Sequence, residues 1–250
     1  MKLRRRKVSG KKSVGRYSRK KFWETLREAS TRYWVVLVIL GLGPIVCASG
    51  IITVHHGFAR GVLVGIASVS GPFMCIIFLL LFSGASSSYL GNFGEVSTAE
   101  VLWKFEKSGW FLVNGLLLNP KWDIDHVLVG PAGVILIETK WSADSWPIAV
   151  PGKTFMKKRI DDAVKQARSN KYDLLKEFNS ILFHVDVLPI CVLWSLKNPS
   201  NLSWTQQGEV TVIPGHKLEA WFKEQTNVKL TSEKVKQIWS ALEAKVISQR

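Results

Sequence analysis

The chain has 250 residues, 47% of them hydrophobic, and a formal net charge of +15. That combination excludes a small disulfide-stapled module, a disordered acidic tail and an ordinary soluble protein built on one core. The charge is concentrated: residues 1–33 hold 13 Lys/Arg against 2 acids, net +11, leaving +4 for residues 34–250, where 21 basic side chains face 17 acids.

Residues 1–33 therefore read as a basic arm. Its cations suit a tether to anionic lipid headgroups and equally a sequence-blind, salt-dependent contact with nucleic acid, and the two readings are compatible. Residues 22–32 have the pattern of a short amphipathic helix, with Trp23, Tyr33 and Trp34 placed as interfacial aromatics. Next come two uncharged stretches, residues 34–54 and 61–82, and Arg60 is the single charged side chain across 34–82. A helix rising about 1.5 Å per residue needs about 20 apolar residues to cross a hydrocarbon core of about 30 Å, so each stretch is predicted to span a membrane and the pair to form a hairpin. A pair of soluble core helices would carry a polar stripe, which neither stretch has. Pro44 and Pro72 lie mid-span with Gly41, Gly43 and Gly71 nearby, so packed, kinked helices are expected. The basic flank places the N-terminus in the cytoplasm. Two crossings return the chain to the same side, which predicts a multi-pass membrane protein with both termini cytoplasmic.

The Ser/Gly-rich residues 83–92 read as a linker, and residues 93–250 as a separate domain. Ser97 and Thr98 are placed to cap a helix carrying Val101, Leu102 and Phe105. Residues 110–118 then read as a strand with a possible break at Asn114-Gly115. Residues 123–129 and 134–140 are strand-like and joined by Gly130-Pro131-Ala132-Gly133, which predicts a β-hairpin. A helix is expected over 157–178, strands over 187–196 and 209–213, and helices over 216–224 and 232–246. This order gives an α/β fold with helices flanking a sheet. The three cysteines offer no CxxC or Cys/His zinc spacing: Cys47 and Cys75 lie in the apolar stretches and Cys191 in a buried-strand pattern.

The chemistry concentrates in the hairpin. Strand side chains alternate with period 2, so Glu138 and Lys140 share a face, and the turn brings Asp125 back toward them. Two carboxylates about 4 Å apart repel by about 4 kcal/mol at an effective dielectric of 20, so the cluster calls for a cation, and Mg²⁺ is a hard ion suited to oxygen donors. His126 falls on the opposite face and is expected to be packed.

Asp125 followed by Glu138-Thr139-Lys140, with Glu100 on the preceding helix, resembles the active-site arrangement of the PD-(D/E)xK nuclease superfamily. More narrowly, residues 123–140, DIDHVLVGPAGVILIETK, resemble the signature of the nuclease-related domain (NERD), with further similarity at Gln166-Ala167 and in the closing strand and helices. The resemblance covers about residues 93–247 and leaves out the arm and the apolar stretches. It implies a restriction-endonuclease-like mixed sheet flanked by helices, which the two predicted transmembrane helices would precede, and a phosphodiesterase site. In that site Asp125 and Glu138 ligate Mg²⁺ or Mn²⁺, with Glu100 completing the shell directly or through water. Lys140 orients or deprotonates the attacking water or neutralises developing charge, and Gln166 positions water or phosphate. Lys157, Lys158, Arg159, Lys165 and Arg168 would hold the backbone of a nucleic acid, taken to be DNA.

The residues also admit plainer readings. Glu100 follows Ser97 by three positions and fits a capping-box acid. Gln166 fits the polar face of an amphipathic helix, and residues 157–159 fit a solvated helix start. Ile124 stands where the superfamily's name has Pro, and residues 141–146 are poor in glycine. A module that keeps the fold but binds nucleic acid or a protein partner without turnover is the alternative to an active nuclease.

Overall fold

The computed structural model describes residues 16–51, 57–83, 85–119, 122–144, 146, 154–197, 203–225 and 227–249. Most of the basic arm, the loop before Arg60 and the segment after Trp146 lie outside them. The described residues divide into two compact units, residues 18–89 and 90–249.

The first unit is helical: α1 Arg16–Arg32, α2 Trp34–Ile51 and α3 Gly57–Phe82. α1 carries the expected amphipathic segment, and the chain bends by 76° between it and α2 at Tyr33. α2 and α3 pack side by side. They approach so closely that a Cβ on Gly71 would lie 2.4 Å from the carbonyl oxygen of Gly41. The Cys75 thiol donates to the Leu37 carbonyl across the pair at 3.2 Å, and Tyr33 meets Phe78 edge to face at 5.5 Å. Pro44 and Pro72 sit inside continuous helices. The outward side chains are apolar, with Ile39, Phe73 and Leu81 all well exposed.

The two expected membrane spans are not shown. Among the described residues one helix, at Gly65–Phe82, is long and apolar enough by itself to cross a membrane. A second qualifies only if Phe22–Arg32 and Trp34–Val46 count together as one broken span.

A helix, α4 at Ala85–Trp103, runs through the residues read as a linker. Serine and glycine cost a helix at most about 1 kcal/mol each, and the apolar spacing of Val96, Ala99 and Leu102 outweighs that by burying one side of α4 against the sheet. Thr98 is consequently inside the helix and does not cap it.

The second unit is built on a six-stranded sheet in the order β1-β2-β3-β4-β6-β5. Its strands are β1 Phe111–Asn119, β2 Trp122–Gly130, β3 Gly133–Ser142, β4 Val187–Ser195, β5 Thr205–Gln207 and β6 Val210–Pro214. The first three form an antiparallel meander, β3, β4 and β6 run parallel, and β5 closes the edge antiparallel to β6. The helices are α5 Thr154–Glu177, a short α6 Asn179–Leu182, α7 Leu218–Lys223 and α8 Ser232–Ser248. α5 is the crossover between parallel neighbours β3 and β4, as a parallel pair requires. The mixed sheet flanked by helices agrees with the expected fold class. β5 was not expected, because three residues, two of them exposed, are too few to show a period.

Alternation along β3 assigns the two faces. Ile135 and Ile137 pack with Leu128, Ile190, Val192 and Ile213 beneath α4 and α7. Val134 and Leu136 pack with Val127, Val129, Leu174 and the buried side of α8. Next to these, α5 sets Ile160, Ala163, Val164 and Ala167 against Cys191, Leu193 and Val212. At the hairpin turn, Gly130 lies flat under the buried indole of Trp110, where a Cβ would stand 2.1 Å from a ring carbon. Gly130→Ala must therefore displace that ring and is expected to lose about 1–3 kcal/mol, visible as a lower urea midpoint with an unchanged slope.

Candidate active site

The β2–β3 hairpin places the acidic residues by register. Its ladder pairs Gly130 with Gly133 and ends at His126 opposite Ile137, so the next positions outward are Asp125 and Glu138. Residues opposite each other in an antiparallel pair point to one face, here the face covered by α5. On the other side of Asp125 the β1–β2 ladder is interrupted: Asn114 pairs with His126 and Leu116 with Ile124, while Gly115 between them has φ of +63°. This is where the sequence suggested a break, and a left-handed backbone is what glycine tolerates.

Side-chain contacts tie the cluster together. The Thr139 backbone N–H donates to Asp125 Oδ2 at 2.6 Å. Lys140 Nζ pairs with Glu138 Oε1 and also donates to Gln166 Oε1 at 3.3 Å. Asn170 Nδ2 donates to the other Glu138 oxygen at 3.4 Å. Thr139, facing away from the cluster, donates its hydroxyl to Thr98 on α4 at 3.2 Å, and the Trp194 indole donates to the same Thr98 oxygen at 2.7 Å.

The electrostatics describe a buried site with too much negative charge. Burial raises the Asp125 carboxyl well above the carboxylate range, and Glu138 and Glu95 push it further, against the pull of Lys140. Burial also raises Glu138, which the Lys140 charge and hydrogen bond oppose. Asp123 is raised by burial too. For Lys140, burial disfavours the charge, but Glu138 and Asp125 outweigh it and hold the ammonium protonated. One cation thus stands among several carboxylates. Hard oxygen donors with this excess of charge suit a divalent cation that keeps several waters and takes one or two carboxylates. Among the described residues, no group of three or more His, Cys, Asp or Glu side chains is spaced to hold a metal ion, so the fit is to an open, two-carboxylate site.

The helix acid near the cluster differs from the one expected. Glu100 is exposed on α4. Glu95, one of the charges acting on Asp125, lies on the stripe that continues through Ala99 and Leu102, both fully buried against the sheet. Starting the helix at Ser97 hid this spacing, since Glu95 then fell at its edge. Asn170 was also missed, although it follows Gln166 by four residues and shares the stripe of Ala163, Ala167 and Leu174.

Of the five expected nucleic-acid contacts, four are exposed along α5 and one, Arg159, is engaged elsewhere. Lys157 and Lys158 are exposed at the start of α5. Arg159 instead donates to the Trp141 carbonyl at 3.1 Å and lies over the Trp146 ring at 5.1 Å, a role in holding the end of β3. Lys165 and Arg168 are exposed further along, with Arg168 Nε 3.5 Å from Glu209.

His126 is fully buried on the face opposite the cluster, its Nδ1 2.7 Å from Asn114 Oδ1 and the Glu95 main chain beside the ring. Burial lowers its pKa to about 3, so the folded protein holds it neutral. A base whose folded value lies below its unfolded value stabilises fully above the latter, and that stability is lost as pH falls from about 6.5 toward about 3. At pH 5 the expected loss from this residue is about 2 kcal/mol relative to neutral pH. His126→Gln should flatten the pH dependence, and urea melts showing the same loss in both proteins would refute the assignment.

Residues 90–194 match the family model described as "Nuclease-related domain", NERD. The match takes in most of α4, the whole hairpin, α5 and β4, and so every member of the acidic cluster; β5, β6, α7 and α8 lie beyond it. No curated protein and no solved structure matches the chain.

Proposed function

We propose that the chain is a membrane-anchored nuclease that hydrolyses phosphodiester bonds of nucleic acid, DNA in the first instance, using Mg²⁺ or Mn²⁺. The observation that carries this reading is the pairing of Asp125 and Glu138 with Lys140 at one end of a buried hairpin inside a nuclease-related domain. Asp125 and Glu138 would hold the ion, with Glu95 rather than Glu100 as the acid supplied by α4. When bound, the ion polarises the phosphate and lowers the pKa of a coordinated water. Thr139 orients the Asp125 carboxylate through its backbone N–H, and Asn170 orients Glu138. Lys140, held in place by Glu138 and Gln166, sets a positive charge where negative charge grows on the phosphate.

A second reading, a nuclease-fold module that binds nucleic acid without cutting it, is favoured by the lack of a third metal-spaced ligand among the described residues. Incubating the full-length chain with single- and double-stranded DNA and RNA, with and without Mg²⁺ or Mn²⁺, separates the two. Divalent-dependent cleavage supports the enzyme; binding without cleavage in every combination supports the module.

Anchoring rests on the basic arm, the close α2–α3 pair and its apolar exterior. The charge bias would put both termini on the cytoplasmic side, next to nucleic acid and anionic headgroups. Protease protection in sealed inside-out and right-side-out vesicles tests this: both ends should be cut only when the cytoplasmic face is outward.

A further inference from the structure

The two sides of α5 have different occupants. One side carries Ala163, Gln166, Ala167, Asn170 and Leu174 toward the sheet and the acidic cluster. On the outer side, Lys165, Arg168, Ser169 and Tyr172 follow the i, i+3, i+4, i+7 spacing of a single helical stripe. This stripe borders an open cavity of about 560 Å³ between α5 and the turn joining β5 to β6, with Leu175 and Glu209 completing its lining.

Three features of the groove point to one ligand chemistry. Tyr172 is 68% exposed, a flat aromatic ring standing in a polar stripe. Lys165, Arg168 and Lys171 set three cations around it against the single carboxylate of Glu209. Glu209 accepts from Lys171 at 2.6 Å and lies 3.5 Å from Arg168 Nε, so two of those cations are pre-positioned while the groove keeps a positive balance. Cations along a groove beside an exposed aromatic are what a nucleic-acid strand with accessible base faces requires. In a duplex those faces are stacked and closed to a tyrosine ring. Lys165 and Tyr172 are seven residues apart, about 10.5 Å along the helix, room for a phosphate contact at one end and a stacked base at the other.

We infer that this groove is a track for an unpaired nucleic-acid strand, with a base on Tyr172 and its flanking phosphates on Lys165 and Arg168. The inference rests on the reading that the chain acts on nucleic acid, and adds that the strand it engages outside the cleavage site is single-stranded. Because Gln166 adjoins Lys165 about 100° around the same helix, one rigid element carries both the track and part of the site.

The test uses the full-length chain in mild detergent, with a chelator present so that nothing is cut. A bromodeoxyuridine-containing single-stranded oligonucleotide is photocross-linked to the protein and the adduct mapped by mass spectrometry, alongside fluorescence anisotropy on single strands and duplex. The adduct should fall on Tyr172. Tyr172→Ala should weaken single-strand binding by about tenfold, Tyr172→Phe should restore it, and duplex binding should be the same in all three. Adducts confined to other segments, with Tyr172→Ala binding as tightly as the parent, would overturn the track. Displacement of the oligonucleotide from α5 by polyglutamate of equal charge would reassign the groove to acidic peptides. If the track fails while divalent-dependent cleavage persists, the nuclease reading stands without it. If adducts reach Tyr172 and no substrate is cut, the track stands and the nuclease reading falls.

Discussion

Glu138→Ala, Asp125→Ala and Lys140→Ala are each expected to reduce divalent-dependent cleavage by at least about a thousandfold, equivalent to about 4 kcal/mol of transition-state stabilisation. Each removes a different part of the proposed site. Without Glu138, the ion loses a ligand and Lys140 loses its positioning partner. Without Asp125, the Thr139 N–H is left without the carboxylate it holds. Without Lys140, the cluster loses the cation that draws both carboxylates toward ionisation. Circular dichroism should show the sheet and helices intact, because the hydrophobic clusters on both faces are untouched. Undiminished cleavage in all three variants would remove the hairpin from the mechanism. Glu100→Ala serves as the control and should cut at the parent rate, whereas Glu95→Gln should lose much of the activity.

Asp125→Asn should separate activity from stability. The Asp125 carboxyl has its folded pKa raised, chiefly by burial and then by Glu138 and Glu95. For an acid raised in this way, the stabilising contribution belongs to the protonated form. It is present at low pH and is lost as pH rises from the unfolded value through the folded one. At pH 8, above the unfolded value, this carboxyl therefore costs the metal-free fold stability. Asparagine has the same shape, can still accept from Thr139 N–H and carries no charge. The variant should melt a few degrees higher than the parent at pH 8 without divalent ions, and the gap should close toward pH 4. Added Mn²⁺ should raise the melting temperature of the parent and leave the variant nearly unchanged. A variant that melts below the parent at pH 8, or that responds to Mn²⁺ equally, would contradict the assignment.

Much of this site is legible in one dimension because it is local. Asp125, Glu138 and Lys140 lie within sixteen residues of each other, on two strands joined by a glycine-bounded turn whose short length leaves few alternative registers. The same holds for α5, where a long apolar stripe identifies a helix whatever surrounds it. Failures came where local preference and tertiary burial disagree. The serines and glycines of residues 83–92 argue for a linker, yet α4 forms there because its apolar stripe is covered by the sheet and α7. That error moved the helix start past Glu95 and left Glu100 as the visible acid. Arg159 fails for a related reason: a cation next to other cations in sequence reads as a phosphate contact, while its partners, Trp141 and Trp146, belong to another element.

Alternating and helical hydrophobic periods alone carry the α/β class and the hairpin, and the alternation sets Glu138 and Lys140 on one face, because each depends on neighbours a few residues away; the roles proposed for Asp125, Glu138 and Lys140 come from the family resemblance. Which acid on α4 approaches Asp125, that Asn170 holds Glu138, and that the basic side chains of α5 divide between a structural contact and an outer groove depend on how helices roll against the sheet. That roll is set by packing among residues distant in the chain, and no local period encodes it. The opening imbalance of charge fits the same division: position along the chain is enough to mark an arm suited to a membrane surface, but the excess negative charge that would draw a metal exists only once Asp123, Asp125, Glu138 and Glu95 are folded around a single lysine.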